Sequence, residues 1–228
     1  MKVLNLYACL GGNRYKWDDV AKDAGIEIEV TAVELDTELA ELYQERFPND
    51  KVIVSDAHQY LLDHYQEFDF IWSSPPCPTH SRARYWRHGA TGKNPSYPDM
   101  GLYQEIIFLQ HHAKCKWVVE NVVPYYEPLI QAKKRNRHLY WTNFNLPNIL
   151  SYRDAEVCKS KDEVKHLCEF HDYDFTKYKG NQRTDKIARN LVDYEAGRTV
   201  FETALGIIRK KDERQAELFT NNETHESN

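Results

Sequence analysis

Short apolar stretches alternate along the chain with amphipathic ones, in a pattern that predicts strands separated by helices. We expect six strands, at "KVLNLYA", "IEVTAVEL", "KVIVSDA", "FDFIWSS", "KWVVENV" and "RHLYWTNF". Helical periodicity is found in "RYKWDDVAKDAG", "TELAELYQERF", "HQYLLDHYQE", "GLYQEIIFLQHHAK" and, near the end, "LVDYEAGRTVFETALGIIRK". Strands joined by helices of this length form right-handed crossovers, so the pattern predicts an α/β fold with a mainly parallel, doubly wound sheet.

Composition narrows the class of protein further. A chain of 228 residues suits one α/β domain. No apolar run approaches the roughly 20 residues of a membrane span, and the N-terminus lacks the cleavage site of a signal peptide. The five cysteines are scattered and odd in number, which disfavours a disulfide framework. We therefore expect a cytoplasmic protein with no membrane partner.

Charge is distributed unevenly along the chain. The formal net charge of −5 argues mildly against a general nucleic-acid binder, which needs clustered Lys and Arg. Two segments, residues 78–94 and 131–138, nevertheless carry several basic residues and no acidic one. Either segment alone is explained by a solvated loop, whereas together they would form a footprint for a polyanion. We expect residues 80–97 to form a mobile loop, given the glycines within it.

Polar residues follow the first three predicted strands where each one ends. Gly11 and Gly12 allow a tight turn and a close approach to a ligand. Glu34 suits a ribose diol, and Asp56 suits an adenine amino group. Each acid alone is equally typical of a helix cap, but together they predict a nucleoside site. Because a full GxGxxG and a P-loop are both missing, the pattern favours S-adenosylmethionine over a dinucleotide or ATP.

The fourth predicted strand ends in a cysteine held on a stiff corner. Pro75 and Pro76 fix the backbone before Cys77, and the stretch after it is rich in arginine. A functional cysteine needs an electropositive, partly exposed setting, which these arginines would supply. The alternative is a small buried hydrophobic residue, which the double proline makes less attractive.

The fifth predicted strand ends in a carboxyl group. Glu120 emerges from an apolar strand, where partial desolvation would raise its pKa and let it hold a proton near neutral pH. A thiol at Cys77 beside such a carboxyl suits addition to cytosine. The thiolate would attack C6, and the carboxyl would donate a proton to N3.

With these pieces in place, the chain resembles the cytosine-C5 DNA methyltransferases. The matching stretches are "NLYACLGG", "AVELD", "SDA", "SPPCPTHS", "VVENV", "RNRHLYWTNF" and "RNLVDYEAG", in the order of that family, over residues 3–208. The "PPC" and "ENV" pair is the specific signal. The amino-acid sequences of the last two stretches are similar to those of small phage or prophage members of the family. The resemblance implies a Rossmann-like S-adenosylmethionine-dependent methyltransferase fold, base flipping and double-stranded DNA as the partner.

The resemblance also implies a role for individual residues. The catalytic residues are Cys77, Glu120, Arg137 and Arg135, where the arginines steady the flipped cytosine. The cofactor residues are Tyr7, Gly11, Gly12, Glu34, Asp56, Ala57, Pro76, Leu102 and Asn190. The residues placed to contact DNA, from the two basic segments, are Ser81, Arg82, Arg84, Arg87, Lys133 and Lys134.

The chain departs from the pattern of this family in several places. Asn5 replaces the usual Asp, Cys9 the first glycine of the turn, and Pro78 the usual Gln. The segment available for target recognition is also short. We divide the chain into a methyltransferase core (1–144), a small insert (145–188), a returning helix (189–209) and a disordered tail (210–228). With so small an insert, the chain would read sequence with a miniature module, rely on a partner subunit or a homodimer for recognition, or have relaxed specificity.

Two other functions are compatible with the sequence. Methylation of a tRNA cytosine fits the missing recognition domain, and a non-catalytic subunit that binds DNA or a partner is the third candidate. The intact Cys77 and Glu120 argue against the non-catalytic subunit.

A zinc site is a further alternative, in which the four candidate ligands are Cys158, His166, Cys168 and His171. Their spacing is not that of a common zinc finger, so we predict an amphipathic helix and no metal.

Overall fold

The computed structural model describes residues 1–91, 94–147, 153 and 162–207, with the main chain alone for residues 87–91. The strands are β1 Lys2–Leu6, β2 Glu29–Glu34, β3 Lys51–Val54, β4 Phe70–Ser73, β5 Lys116–Val122, β6 Lys133–Arg135 and β7 His138–Thr142. The helices are α1 Trp17–Asp23, α2 Thr37–Arg46, α3 Ala57–His64, α4 Arg82–Thr91, α5 Gly101–His112, α6 Glu163–His171, α7 Thr184–Asn190 and α8 Tyr194–Ala204.

Seven strands form one sheet in the order β3-β2-β1-β4-β5-β7-β6. The strands from β3 to β5 are parallel, whereas β7 runs antiparallel to both β5 and β6. The strand order reverses between β1 and β4, and the crevice at such a point is where open α/β sheets bind their ligands. The predicted α/β class and the mainly parallel sheet are confirmed.

Helices cover both faces of the sheet, as expected for a doubly wound fold. Alternate residues of each strand point to opposite faces, so β4 contributes Ile71 to one apolar layer and Phe70 and Trp72 to the other. The first layer is completed by α3 and α5, through residues such as Ile106. The second layer is completed by α1 and α8, through residues such as Trp17.

The segment after β7 packs against the loop that follows β1 and against α2. Leu167 of α6 and Ile187 of α7 share an apolar cluster with Leu10, which follows β1, and with Leu39 of α2. Helix α7 runs across residues 188 and 189, where we placed a boundary. The division into four segments stays a prediction, and the proposed tail lies outside the described residues.

Residues 80–97 were predicted to form a loop, and this was wrong for much of the segment, because α4 begins at Arg82. The Ser81 hydroxyl accepts a hydrogen bond from the Ala83 main-chain N–H at 3.2 Å, in the manner of a helix cap. The ring of Tyr85 stacks on Tyr125 with 4.8 Å between centroids. Contacts distant in sequence therefore stabilise a helix that local pattern did not indicate.

No helix among the described residues is long and apolar enough to cross a membrane.

Candidate active site

A cavity of about 640 Å³ opens at the carboxyl ends of β1, β4 and β5. Its volume lies within the range usual for small-molecule sites, roughly 300–1,000 Å³. Eight residues predicted from the sequence to bind or react with a ligand line this cavity. They are Tyr7, Pro76, Cys77, Ser81, Arg84, Glu120, Arg137 and Asn190. The fold thus brings three of the four predicted catalytic residues, Cys77, Glu120 and Arg137, to one place.

The loop after β1 borders this cavity through Tyr7 and Cys9. Both residues adopt positive φ angles, of 56° and 47°, in a region that favours glycine. The Cys9 N–H donates to the Glu34 carboxylate at 2.7 Å, and the Asp36 N–H donates to the same carboxylate at 3.0 Å. Glu34 therefore lies directly behind the cavity wall, tied to the loop.

The two glycines of this loop are needed for packing within the chain. A Cβ on Gly11 would lie 2.3 Å from the Phe47 ring, and one on Gly12 would lie 2.2 Å from the Val192 carbonyl oxygen.

Neither glycine is in the cavity wall. Nor are four other predicted cofactor residues, namely Glu34, Asp56, Ala57 and Leu102. The Asp56 carboxylate caps α3 by accepting from the Gln59 N–H at 2.9 Å. Their roles in cofactor binding stay predictions.

Cys77 lies on the corner after β4 and faces the cavity. Burial, and then the negative charge of Glu120, raise the pKa of its thiol to about 11. Lys186 and Arg137 lower this pKa. The expectation that the arginines just after Cys77 would make its surroundings electropositive was therefore wrong. The resting thiol is protonated near neutral pH because it is desolvated and faces a carboxyl group.

Glu120 comes from the carboxyl end of β5 and is almost fully buried. Burial raises its pKa to about 7, although a hydrogen bond with Ser74 and the charge of Arg137 act in the opposite direction. The expected rise is confirmed. The His138 Nε2 lies 3.6 Å from a Glu120 oxygen. Burial lowers the pKa of His138 to about 3, so this imidazole is neutral and forms no ion pair with Glu120.

Hydrogen bonds fix the Cys77 corner relative to Glu120. The Asn121 side chain donates from Nδ2 to the Pro75 carbonyl oxygen at 2.9 Å. The N–H of His80 donates to the Cys77 carbonyl oxygen at 3.0 Å. The ends of β4 and β5, which pair in parallel register, are thereby joined next to the thiol. Asn121, the residue after Glu120, therefore helps to hold the corner that carries Cys77.

The two predicted catalytic arginines have different surroundings. Arg137 is exposed, lines the cavity and donates from Nη2 to the Arg189 carbonyl oxygen at 3.3 Å. Arg135 is buried outside the cavity wall, against the Ala196 carbonyl oxygen at 3.5 Å. The chain reverses between them at a turn in which Asn136 has a φ of 51°, so the two side chains lie in different places. The structure brings Arg137, but not Arg135, to Cys77.

The predicted DNA-contacting residues are likewise divided. Ser81 and Arg84 line the cavity, whereas Arg82 turns back and donates from Nε to the Pro124 carbonyl oxygen at 3.1 Å. Lys133 and Lys134 are exposed on β6. The side chain of Arg87 falls outside the described residues. Contact with DNA stays a prediction for all six.

Sequence reasoning missed several residues of the cavity. They are Ser74, Tyr125, His138 and Lys186. Ser74 and His138 adjoin predicted residues or strands, so position offered a weak signal for both. Lys186 gave none, since it lies in the insert. Among the described residues, no group of His, Cys, Asp and Glu is arranged to hold a metal, and Cys158 lies outside them.

The family model for the C-5 cytosine-specific DNA methylases matches residues 1–128, which include Cys77 and Glu120. The chain belongs to this family. No curated protein matches this methylase. Its closeness to small phage members stays a prediction. Family membership makes S-adenosylmethionine its cofactor, and the cavity of about 640 Å³ has room for a molecule of that size.

Solved structures show the same fold. The methyltransferase EhMeth of Entamoeba histolytica is similar with a TM-score of 0.53 and 10% identity, over 92% of this chain and 99% of that chain. A DNMT2 mutant (E260A/E261A/K263A) of Spodoptera frugiperda is 25% identical, with a TM-score of 0.35, over 53% of this chain. The methylase covers 35% of the DNMT2 chain. The likeness to EhMeth and the strand order of the sheet confirm the Rossmann-like methyltransferase fold.

Proposed function

We propose that this methylase transfers a methyl group from S-adenosylmethionine to C5 of a cytosine in double-stranded DNA, through a covalent bond between Cys77 and C6. The observation that supports this most directly is the shared cavity. A thiol from the end of β4 and a carboxyl from the end of β5 line it beside the β1 loop. A base in a duplex cannot reach such a cavity, so the proposal includes flipping of the target cytosine.

Two side chains act on the cytosine in this proposal, Cys77 as the nucleophile and Glu120 as the proton donor. The Cys77 sulfur forms a bond to C6 while Glu120 delivers a proton to N3, which makes C5 nucleophilic. When bound, S-adenosylmethionine supplies an electrophilic methyl group to C5. The C5 proton is then lost to solvent, the bond between carbon and sulfur breaks to release the Cys77 thiolate, and N3 returns its proton to Glu120.

The raised pKa values of the pair support this division of labour. With a pKa of about 7, Glu120 is largely protonated at slightly acid pH, as a donor to N3 must be. The charge of ionised Glu120 is also a cause of the high thiol pKa. A protonated Glu120 therefore both donates to the base and removes a charge that opposes the thiolate.

Labelled methyl transfer tests the proposal, with DNA and RNA offered in parallel. We expect incorporation into DNA, and Cys77→Ser should abolish it because a hydroxyl is far less ionised than a thiol. Cys115→Ser is the matched control, since Cys115 is half-buried outside the cavity. Incorporation into RNA alone would instead identify an RNA methyltransferase.

Trapping separates the covalent route from direct methylation. DNA with 5-fluorocytosine at the target should hold the wild-type enzyme in a complex that survives denaturing electrophoresis, because fluorine cannot leave C5 as a proton does. Cys77→Ser should form no complex. Transfer by the Cys77→Ser variant would contradict the covalent step and indicate methylation of an exocyclic amine.

A further inference from the structure

The thiol of Cys77 needs a positive charge that the family motif around it does not supply. Burial and Glu120 both oppose its ionisation. The cations that line the cavity are Arg84, Arg137, Lys186 and Arg189. The same wall contains the Glu120 carboxyl from β5, the neutral imidazole of His138 from β7, and the titratable side chains of Tyr7, Cys9, Tyr85 and Tyr125.

Lys186 differs from its basic neighbours on the same segment. Arg183 pairs with Asp185, and Arg189 pairs with Glu163 and Asp185. Within the part of the chain that the structure describes, no carboxylate lies at ion-pair distance from Lys186. Its ammonium is exposed at the edge of the cavity. Its charge is therefore not neutralised by a neighbouring acid.

The position of Lys186 is set by the core of the protein. The next two residues, Ile187 and Ala188, are buried in the apolar cluster that also contains Leu10 and Leu39. On the other side, the Arg137 guanidinium donates to the Arg189 carbonyl oxygen at 3.3 Å. Helix α7 is thus held between the β1 loop and the hairpin from β6 to β7, with Lys186 toward the cavity.

We propose that Lys186 is a positioning residue that acts through Cys77: its ammonium favours the thiolate, so the short insert helps to activate the nucleophile. The inference rests on the proposed function and assigns part of that function to the insert. Among the groups that act on the Cys77 thiol, Lys186 precedes Arg137 as a cause of a lower pKa. The proton leaves the thiol to solvent, and no other reactant is needed.

The pH dependence of Cys77 alkylation tests this inference without DNA or cofactor. Iodoacetamide reacts with the thiolate, and peptide mass spectrometry follows Cys77 separately from the other cysteines. For Lys186→Met, we expect the alkylation rate to fall about threefold at each pH between 7 and 9, where a lysine ordinarily carries its charge, with the slope of log rate against pH unchanged. Because Lys186 is exposed, the difference should shrink in 1 M salt.

Two variants control for effects on the fold. Lys186→Arg keeps the charge and should retain the wild-type alkylation rate between pH 7 and pH 9, whereas a merely structural role would not be rescued in this way. Lys165→Met removes an exposed lysine of α6 that is not in the cavity wall, and should leave the rate unchanged. A wild-type rate for Lys186→Met over this pH range overturns the inference. Absence of methyl transfer by the wild-type chain would instead overturn the proposed function, so the two failures are distinguishable.

Discussion

The main-chain N–H of Cys9 donates a hydrogen bond to the Glu34 carboxylate, with 2.7 Å between nitrogen and oxygen. This bond joins the carboxyl ends of β1 and β2 at the edge of the cavity. Cys9 makes it with a φ of 47°, in the left-handed region where a side chain costs energy. The loop therefore combines a strained residue with a satisfied hydrogen bond.

The strain at Cys9 predicts an unusual order of stability for two variants. Cys9→Gly should be more stable than Cys9→Ala by about 1 kcal/mol, because both lose the sulfur but only alanine keeps a Cβ in a left-handed conformation. Urea unfolding of both variants measures the difference. Equal stability, or a more stable alanine variant, would show that the loop relaxes and that Cys9 is not strained.

Glu120 should make stability depend on pH. Its pKa is about 7 in the folded chain, against an ordinary value of 4.5, so between these values the folded state binds more protons than the unfolded state. Stability should therefore fall as pH rises through this window. Glu120→Gln removes the ionisable group and should be more stable than the wild type at pH 8, by up to about 3 kcal/mol.

Thermal unfolding at pH 5 and pH 8 checks this prediction. The advantage of Glu120→Gln should be present at pH 8 and small at pH 5. In methyl transfer, the same variant should be slower by about 10²-fold or more, because an amide cannot deliver a proton to N3. A variant with the same pH dependence of stability as the wild type would be incompatible with a buried carboxyl of raised pKa.

Much of the sheet could be predicted because its strands are apolar and lie between clear helices. The fifth predicted strand, "KWVVENV", coincides with β5, since a buried parallel strand is a short apolar run. Cys77 and Glu120 were found for the same reason. Parallel neighbours end at one edge of a sheet, so residues at strand ends meet there.

The remaining parts depend on contacts that local pattern does not contain. Helix α4 is supported by the Tyr85–Tyr125 stack, whose partners are far apart in sequence. Strand β6 is only Lys133–Arg135, too short and too charged to be recognised. Lys186 reaches the cavity because Ile187 is buried against the β1 loop. Electrostatics at Cys77 were misjudged because desolvation is a property of the fold.

Glu105 links the cavity wall to the core through three hydrogen bonds. Its carboxylate accepts from the Tyr7 hydroxyl at 2.5 Å, from Ser73 at 2.5 Å and lies 2.9 Å from His58 Nδ1. Glu105→Gln places an amide N–H₂ among these donors and should destabilise the fold by about 2 kcal/mol. Because Tyr7 lines the cavity, binding of S-adenosylmethionine should weaken as well.

Calorimetric binding and urea unfolding measure the two effects of Glu105→Gln. Glu41→Gln makes the same change on an exposed helix position and should be neutral. The effects of Tyr7→Phe and Glu105→Gln should be less than additive, since both remove the same bond. Full additivity would mean that Glu105 does not act through Tyr7.

Among the basic side chains of the first segment that the structure describes, that of Arg84 lines the cavity and that of Arg82 does not. Arg84 follows Arg82, whose guanidinium is bound to Pro124, and precedes Tyr85, which is stacked on Tyr125. These contacts leave Arg84 in the wall beside Cys77, where a phosphate of a flipped nucleotide would lie. Arg84→Ala should therefore weaken DNA binding and reduce the slope of log Kd against log salt concentration by about 1. Fluorescence anisotropy over several salt concentrations measures this slope. Lys22→Ala, at an exposed position of α1, should leave the slope unchanged. An unchanged slope for Arg84→Ala would show that Arg84 of α4 does not contact a DNA phosphate.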